Sequence, residues 1–171
     1  MKSKRLKIQQ IDLTLCKDYD IEQALDYNFQ TKKLMNKGRG FAVLLVTIKG
    51  IHFAIPFRSY MPNKYQLKYK LRASSKKGFV EGLDIGKTLI VENPKYLINK
   101  PFRLRQKDDA IKIQDNEIVI INKLIKAITD YNKAVKNADS NKLNDPMRFK
   151  FSTFKNYTKR LSRITISDMI V

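Results

Sequence analysis

The chain has 171 residues, 43% of them hydrophobic, and a formal net charge of +19 from 35 Lys and Arg against 16 Asp and Glu. That apolar fraction supports a single folded domain over residues 1–171 and excludes a disordered basic tail. One cysteine and one histidine exclude an internal disulfide, a cysteine zinc site and histidine-pair catalysis.

Residues 5–11 alternate as a first strand. Asp12 or Thr14 then caps a helix running irregularly through Tyr19, Ile21, Leu25 and Phe29, ended by Gly38 and Gly40. The strongest β signal is Phe41-Ala-Val-Leu-Leu-Val-Thr-Ile48, followed by Lys49-Gly50 and Ile51-His-Phe-Ala-Ile-Pro-Phe57. Two such runs around a two-residue turn with glycine predict a hairpin. The first is apolar on both faces, so it is expected to be a central strand. Pro56 has no N–H for a ladder, so pairing is expected to stop there, leaving Arg58-Ser59-Tyr60 at a strand end.

Residues 65–71 predict a short strand, 82–86 a turn into a strand at 88–92, and 100–105 another strand. Asp115 caps a long helix whose stripe is Ile121, Leu124, Ile125, Ile128, Tyr131 and Val135. A polar loop over 137–145 precedes a last helix, capped by Ser152 and running through Phe154, Tyr157, Leu161 and Ile164. The expected architecture is α+β: a mostly antiparallel sheet or small barrel with helices packed around it. No stretch reaches the ~18 apolar residues of a membrane span, which predicts a cytoplasmic protein without membrane contact.

Between Lys64 and Lys77 there are six Lys or Arg and no acid, interleaved with Tyr65 and Tyr69. Cations neutralise phosphates, and tyrosines offer stacking faces to unpaired bases. Lys68, Tyr69, Lys70, Arg72, Lys76 and Lys77 are therefore candidate RNA contacts. Lys155, Lys159 and Arg160, on polar positions of the last helix, join them. His52 lies inside a predicted strand between Ile51 and Phe53, a place for a packed or surface histidine rather than a general base. Asp84, Asp108 and Asp109 are candidate metal ligands, but the three form no D-x-D or similar carboxylate cluster of a metal nuclease. Metal-free RNA cleavage needs the 2′-hydroxyl held in line with the adjacent phosphate and the developing charge stabilised. Arginine, serine and tyrosine are suited to that work, and they occupy positions 58–60.

Three blocks carry a resemblance. They are Gly40-Phe-Ala-Val-Leu-Leu-Val with Ile51-His-Phe-Ala-Ile-Pro-Phe-Arg-Ser59, then Gly82-Leu-Asp-Ile-Gly-Lys87, then Phe151-Ser-Thr-Phe-Lys-Asn-Tyr157. In order, they resemble the central hairpin with its Pro-x-[Thr/Arg]-Ser element, the next block, and the start of the C-terminal helix in one toxin family. That family is the endoribonuclease toxins of type III toxin–antitoxin systems, the ToxN, AbiQ and TenpN-like group. The resemblance runs over nearly the whole chain. It implies a compact SH3-like β-barrel with added helices, akin to the Kid and MazF toxins. It also implies cleavage without metal or cofactor, leaving a 2′,3′-cyclic phosphate and a 5′-hydroxyl. The implied partner is a small repeated RNA that folds as a pseudoknot, is cut from its precursor by the toxin and inhibits it in a closed protein–RNA ring. Such systems serve phage defence by abortive infection, or plasmid maintenance.

Ser59 falls on the family's active-site serine. Arg58 stands where several members have threonine, and Arg39 where some have lysine. The lysine that closely follows the serine in ToxN is replaced by Met61, and Lys64 is its nearest substitute. In the implied mechanism Ser59 and Arg58 bind the scissile phosphate, while Arg39 or Lys64 stabilises developing charge. Composition alone favours a different class, a non-catalytic, ribosome-associated RNA-binding module.

Overall fold

The computed structural model describes residues 6–35, 41–100, 102–164 and 167. Its strands are β1 (Leu6–Ile11), β2 (Tyr27–Asn28), β3 (Lys33–Leu34), β4 (Phe41–Ile48), β5 (Ile51–Pro62), β6 (Lys68–Ala73), β7 (Phe79–Asp84), β8 (Leu89–Val91) and β9 (Leu97–Ile98). Its helices are α1 (Thr14–Asp18), α2 (Lys107–Asp115), α3 (Glu117–Lys136), α4 (Ser140–Leu143) and α5 (Thr158–Leu161). Seven strands form one antiparallel sheet of order β6-β7-β5-β4-β1-β9, with β8 on β5, while β2 and β3 pair apart. Among the described residues this path stays open, with β6 and β9 at its edges, and closes no barrel.

The central hairpin forms as its sequence predicts. Lys49 and Gly50 both take positive φ, 48° and 74°, the backbone a tight two-residue β-turn requires. Strand β4 is central because both its faces are covered. Leu44, Val46 and Ile48 join the core under α3, and Val43 and Leu45 join a second core with Leu13, Leu15, Cys16 and Ile21. Helix α3 buries Ile120, Ile121, Leu124, Ile125 and Ile128 against the first of these. At roughly 1.5–3 kcal/mol per large apolar side chain, this face outweighs any helix-propensity term. Val135, expected on that stripe, is instead 37% exposed, and Ala134 takes the buried place.

Pro56 does not end the strand. Residues up to Ala54 pair with β8, and pairing with β7 begins at Phe57, while Pro56 itself stays opposite Val43 of β4. The proline sits at the step where one edge of β5 changes partners, so its missing N–H costs the ladder little.

Elsewhere the local readings need correction. Between residues 12 and 29 only α1 is helical, because Asp20, Gln23 and Asp26 take positive φ and break any continuation. Asp12 accepts from the Thr14 N–H at 2.9 Å, but the N-cap of α1 is Leu13, without a side-chain cap bond. The expected strand at 100–105 is absent from its described residues, the ladder having ended with β9. Asp115 closes α2 rather than capping α3. Ser152 is a true cap, accepting from the Phe154 N–H at 3.1 Å, but the turn it opens over Thr153–Tyr157 is 3-10 before α5 begins. Phe154 and Phe149 meet Tyr131 edge-on, with ring centroids 5.6 and 5.3 Å away, which fastens this C-terminal segment to α3.

Candidate functional site

The block Gly82-Leu-Asp-Ile-Gly86 backs the site, with Gly82 on the cleft itself, and each glycine has a steric reason. A Cβ on Gly82 would lie 2.0 Å from the Tyr69 carbonyl oxygen and 3.0 Å from the Leu71 nitrogen, both backbone atoms of β6. A Cβ on Gly86 would lie 2.1 Å from the Tyr65 hydroxyl oxygen. That hydroxyl donates to Asp84 Oδ1 at 2.8 Å, and Arg58 Nη1 donates to Asp84 Oδ2 at 2.8 Å. Asp84 is wholly buried, while the Arg58 side chain remains 34% exposed. Burial lifts the Asp84 carboxyl above the ordinary carboxylate range, and the hydrogen bond and charge of Arg58 pull the other way. Burial lifts the Tyr65 phenol as well, so it stays a donor. The buried carboxylate thus holds the Arg58 guanidinium at the edge of the cleft.

Two irregularities flank β7 at this point. On one side Arg58 pairs with Gly82 and Met61 with Val80, so Ser59 and Tyr60 together face Glu81. On the other, Lys70 pairs with Gly82 and Arg72 with Glu81, which leaves Leu71 extra. Neighbours on a regular strand face opposite sides, yet Phe57, Arg58 and Ser59 all line one cleft of about 280 Å³. The bulge after Arg58 breaks the alternation and re-aims Ser59.

Four arginines line that cleft: Arg58, Arg72, Arg103 and Arg105. Arg72 is spent on carboxylates, at 2.9 Å to Glu81 and in an ion pair with the buried Asp109 of α2. Arg103 and Arg105 are exposed and have no ion pair among the described residues. Sequence reasoning missed these two by assigning residues 100–105 to a strand; the available signal was Arg103-Leu-Arg105 itself, two arginines one residue apart.

The remaining candidates scatter. Arg39 lies outside the described residues. Lys64 is exposed beyond the end of β5 and does not line the cleft with Ser59. Lys68 Nζ is tied to the Asn63 carbonyl at 2.8 Å and to that of Tyr65, with its pKa lowered by burial and by Lys123 and Lys70. Tyr69 is half-buried against the core. Lys70 and Lys77 are exposed, and Lys76 lies 4.4 Å over the Phe79 ring. Lys155 pairs with Glu22 and Arg160 with Glu92, whereas Lys159 is exposed and unpaired among the described residues. His52 meets Thr47 across the hairpin, Nδ1 to Oγ1 at 2.9 Å, and lines no part of the cleft. No three His, Cys, Asp or Glu side chains converge among the described residues, so Asp84, Asp108 and Asp109 do not form a cluster.

Lys87 ties the second and third of those sequence blocks to the loop after α1. Its ammonium donates to the Gln23 carbonyl at 2.7 Å and to the Phe151 carbonyl, and Thr153 reaches the Thr88 and Gly86 carbonyls from the same segment. Burial and the charges of Arg58 and Lys155 pull its pKa down to about 8, against the attraction of Asp84. A depressed lysine contributes stability in full above its unfolded value, near 10.5, and loses it as pH falls through about 8. The difference in melting temperature between wild type and Lys87→Met is therefore expected to move in favour of wild type from pH 8 to 10.5. Thermal denaturation across that range measures it; a flat difference would refute the assignment.

Comparison of the chain with protein-family models, with curated proteins and with solved structures gave no match. Among the described residues no helix is long and apolar enough to cross a membrane.

Proposed function

We propose that this chain is a metal-independent endoribonuclease, the toxin of a type III toxin–antitoxin system, acting in phage defence or plasmid maintenance. The observation that carries this reading is Ser59, turned by a bulge into the same cleft as Arg58, with the unpaired Arg103 and Arg105 on its wall. In the proposed reaction the 2′-oxygen of RNA attacks the adjacent phosphorus and loses its proton. The bond from phosphorus to the 5′-oxygen breaks, and that oxygen leaves with a proton. The ends are a 2′,3′-cyclic phosphate and a 5′-hydroxyl. Ser59 donates to a non-bridging oxygen, and Arg58, with one nitrogen anchored by Asp84, offers the rest of its fork to the phosphorane charge. Arg103 and Arg105 take over the charge-stabilising role assigned to Lys64, which lies away from the cleft. The antiparallel sheet, carried by β5 through two sets of partners, is read as an SH3-like barrel of the Kid and MazF kind left open at one seam. The inhibitor is a small repeated pseudoknot RNA that the toxin cuts from its precursor, with toxin and RNA alternating in a ring.

The test is cleavage of cellular RNA by the purified protein in EDTA, with analysis of the ends. Expected are cyclic-phosphate and 5′-hydroxyl termini, and growth arrest on expression that a cognate RNA repeat relieves. Tight, salt-dependent RNA binding without cleavage in any metal condition would overturn this reading in favour of the non-catalytic RNA-binding module.

A further inference from the structure

A second opening, about 340 Å³, lies between the loop after α1 and the C-terminal segment, and shares no lining residue with the Ser59 cleft. Its floor is apolar: Ile21 and Ile90 are buried, and the ring of Tyr157 lies beside them. Tyr19 stands 46% exposed on its wall, held edge-on against Tyr96 with ring centroids 6.0 Å apart. The rim carries Lys159, Arg160 and Arg163. Glu92 neutralises Arg160, whereas Lys159 and Arg163 are exposed and free of ion pairs among the described residues. Asn156 is fully used, exchanging hydrogen bonds with the backbone of Glu22 at 3.2 and 3.1 Å. The Tyr157 hydroxyl is out of solvent beside the Ile90 N–H, so the cleft meets the ring of Tyr157 and not its hydroxyl.

We propose that this cleft binds one nucleotide unit, with the base against Tyr19 and the apolar floor and the phosphate between Lys159 and Arg163. Flat aromatic walls suit a base, and two unopposed cations suit a phosphate. The volume, at the small end of ligand sites, admits one splayed-out nucleotide and excludes a paired stem. The site deepens the endoribonuclease reading by giving an RNA strand a hold away from Ser59, and it rests on that reading only in taking RNA as the source of the nucleotide.

The test uses the full chain carrying Ser59→Ala, so that cutting of RNA is slow on the scale of the titration, and follows the methyl NMR signals of Ile21 and Ile90. Nucleoside 5′-monophosphates and a short unstructured oligoribonucleotide are expected to shift both signals, and inorganic phosphate to shift neither. Tyr19→Ala and Arg163→Glu, both at exposed positions, are each expected to weaken binding about tenfold, and Tyr19→Phe to retain it. Tighter binding of the oligonucleotide assigns the site to an RNA strand; equal or tighter binding of the mononucleotide assigns it to a free nucleotide. Methyl signals unmoved at saturation, the same shifts with phosphate alone, stronger shifts with an acidic peptide, or variants that bind like wild type would each overturn the proposal. Nucleotide binding here in a protein that cuts no RNA would leave this site standing and remove the enzyme.

Discussion

Ser59→Ala is expected to cut RNA about 10²- to 10³-fold more slowly than wild type, the usual cost of removing one donor aimed at transition-state charge. Ser59 lies on the two-residue bulge opposite Glu81 and lines the cleft, and its hydroxyl makes no hydrogen bond among the described residues. Its loss should therefore change stability by less than about 0.5 kcal/mol, as at other sites outside the core. Affinity for the inhibitory RNA should stay near wild type, because charge supplies most of that binding. Three measurements separate the outcomes: cleavage rate, melting temperature and RNA affinity. Full activity in a folded variant would remove Ser59 from the chemistry.

Gly82→Ala is expected to cost about 3 kcal/mol or more, in the upper range for inserting a methyl where there is no room. The new Cβ would sit 2.0 Å from the Tyr69 carbonyl oxygen, and backbone has no rotamer by which to yield. Strand β6 must shift away from β7, which carries with it the pairing of Arg72 with Glu81. Gly86→Ala is the informative companion. Its clash is with the end of the Tyr65 side chain, which is free to swing aside, but only by abandoning Asp84. Gly78→Ala is the contrast: its φ of +85° strains any side chain, yet nothing lies within 4 Å of a Cβ there. Urea denaturation ranks the three. A Gly82→Ala protein within about 1 kcal/mol of wild type would mean the two strands part more easily than this close approach implies.

The hairpin β4–β5 was legible because a β-branched run, a turn glycine and a second run report on local backbone, which is what sequence patterns encode. Leu44, Val46 and Ile48 against Val43 and Leu45 made the two-sided burial readable too. What was not legible depended on partners distant in sequence. Pro56 reads as a break from its own covalent structure, and only the positions of β7 and β8 make it harmless. Helix α2 hides because its inward face is Ile113 and Asp109, and an aspartate facing Arg72 looks like a solvent-facing residue until the arginine is seen. The same applies to the site. Arg58 and Ser59 were visible as a pair, but the bulge that puts both in one cleft arises from the register of β7. Lys68, Lys155 and Arg160 read as free cations because their partners, the Tyr65 carbonyl, Glu22 and Glu92, could not be known from the charge run.

The cleft has walls of unlike construction. Arg58 and Ser59 belong to a strand that pairs with β4, β8 and β7 in turn, whereas residues 102–104 on the same cleft belong to no helix or strand. Mutation can rewrite the second wall without disturbing a single rung of the sheet. On the proposed reading, that wall can change which RNA sequence is accepted while Arg58 and Ser59 keep their places. A directed library over the exposed Arg103 and Arg105 is accordingly the place to look for altered cutting preference at unchanged melting temperature.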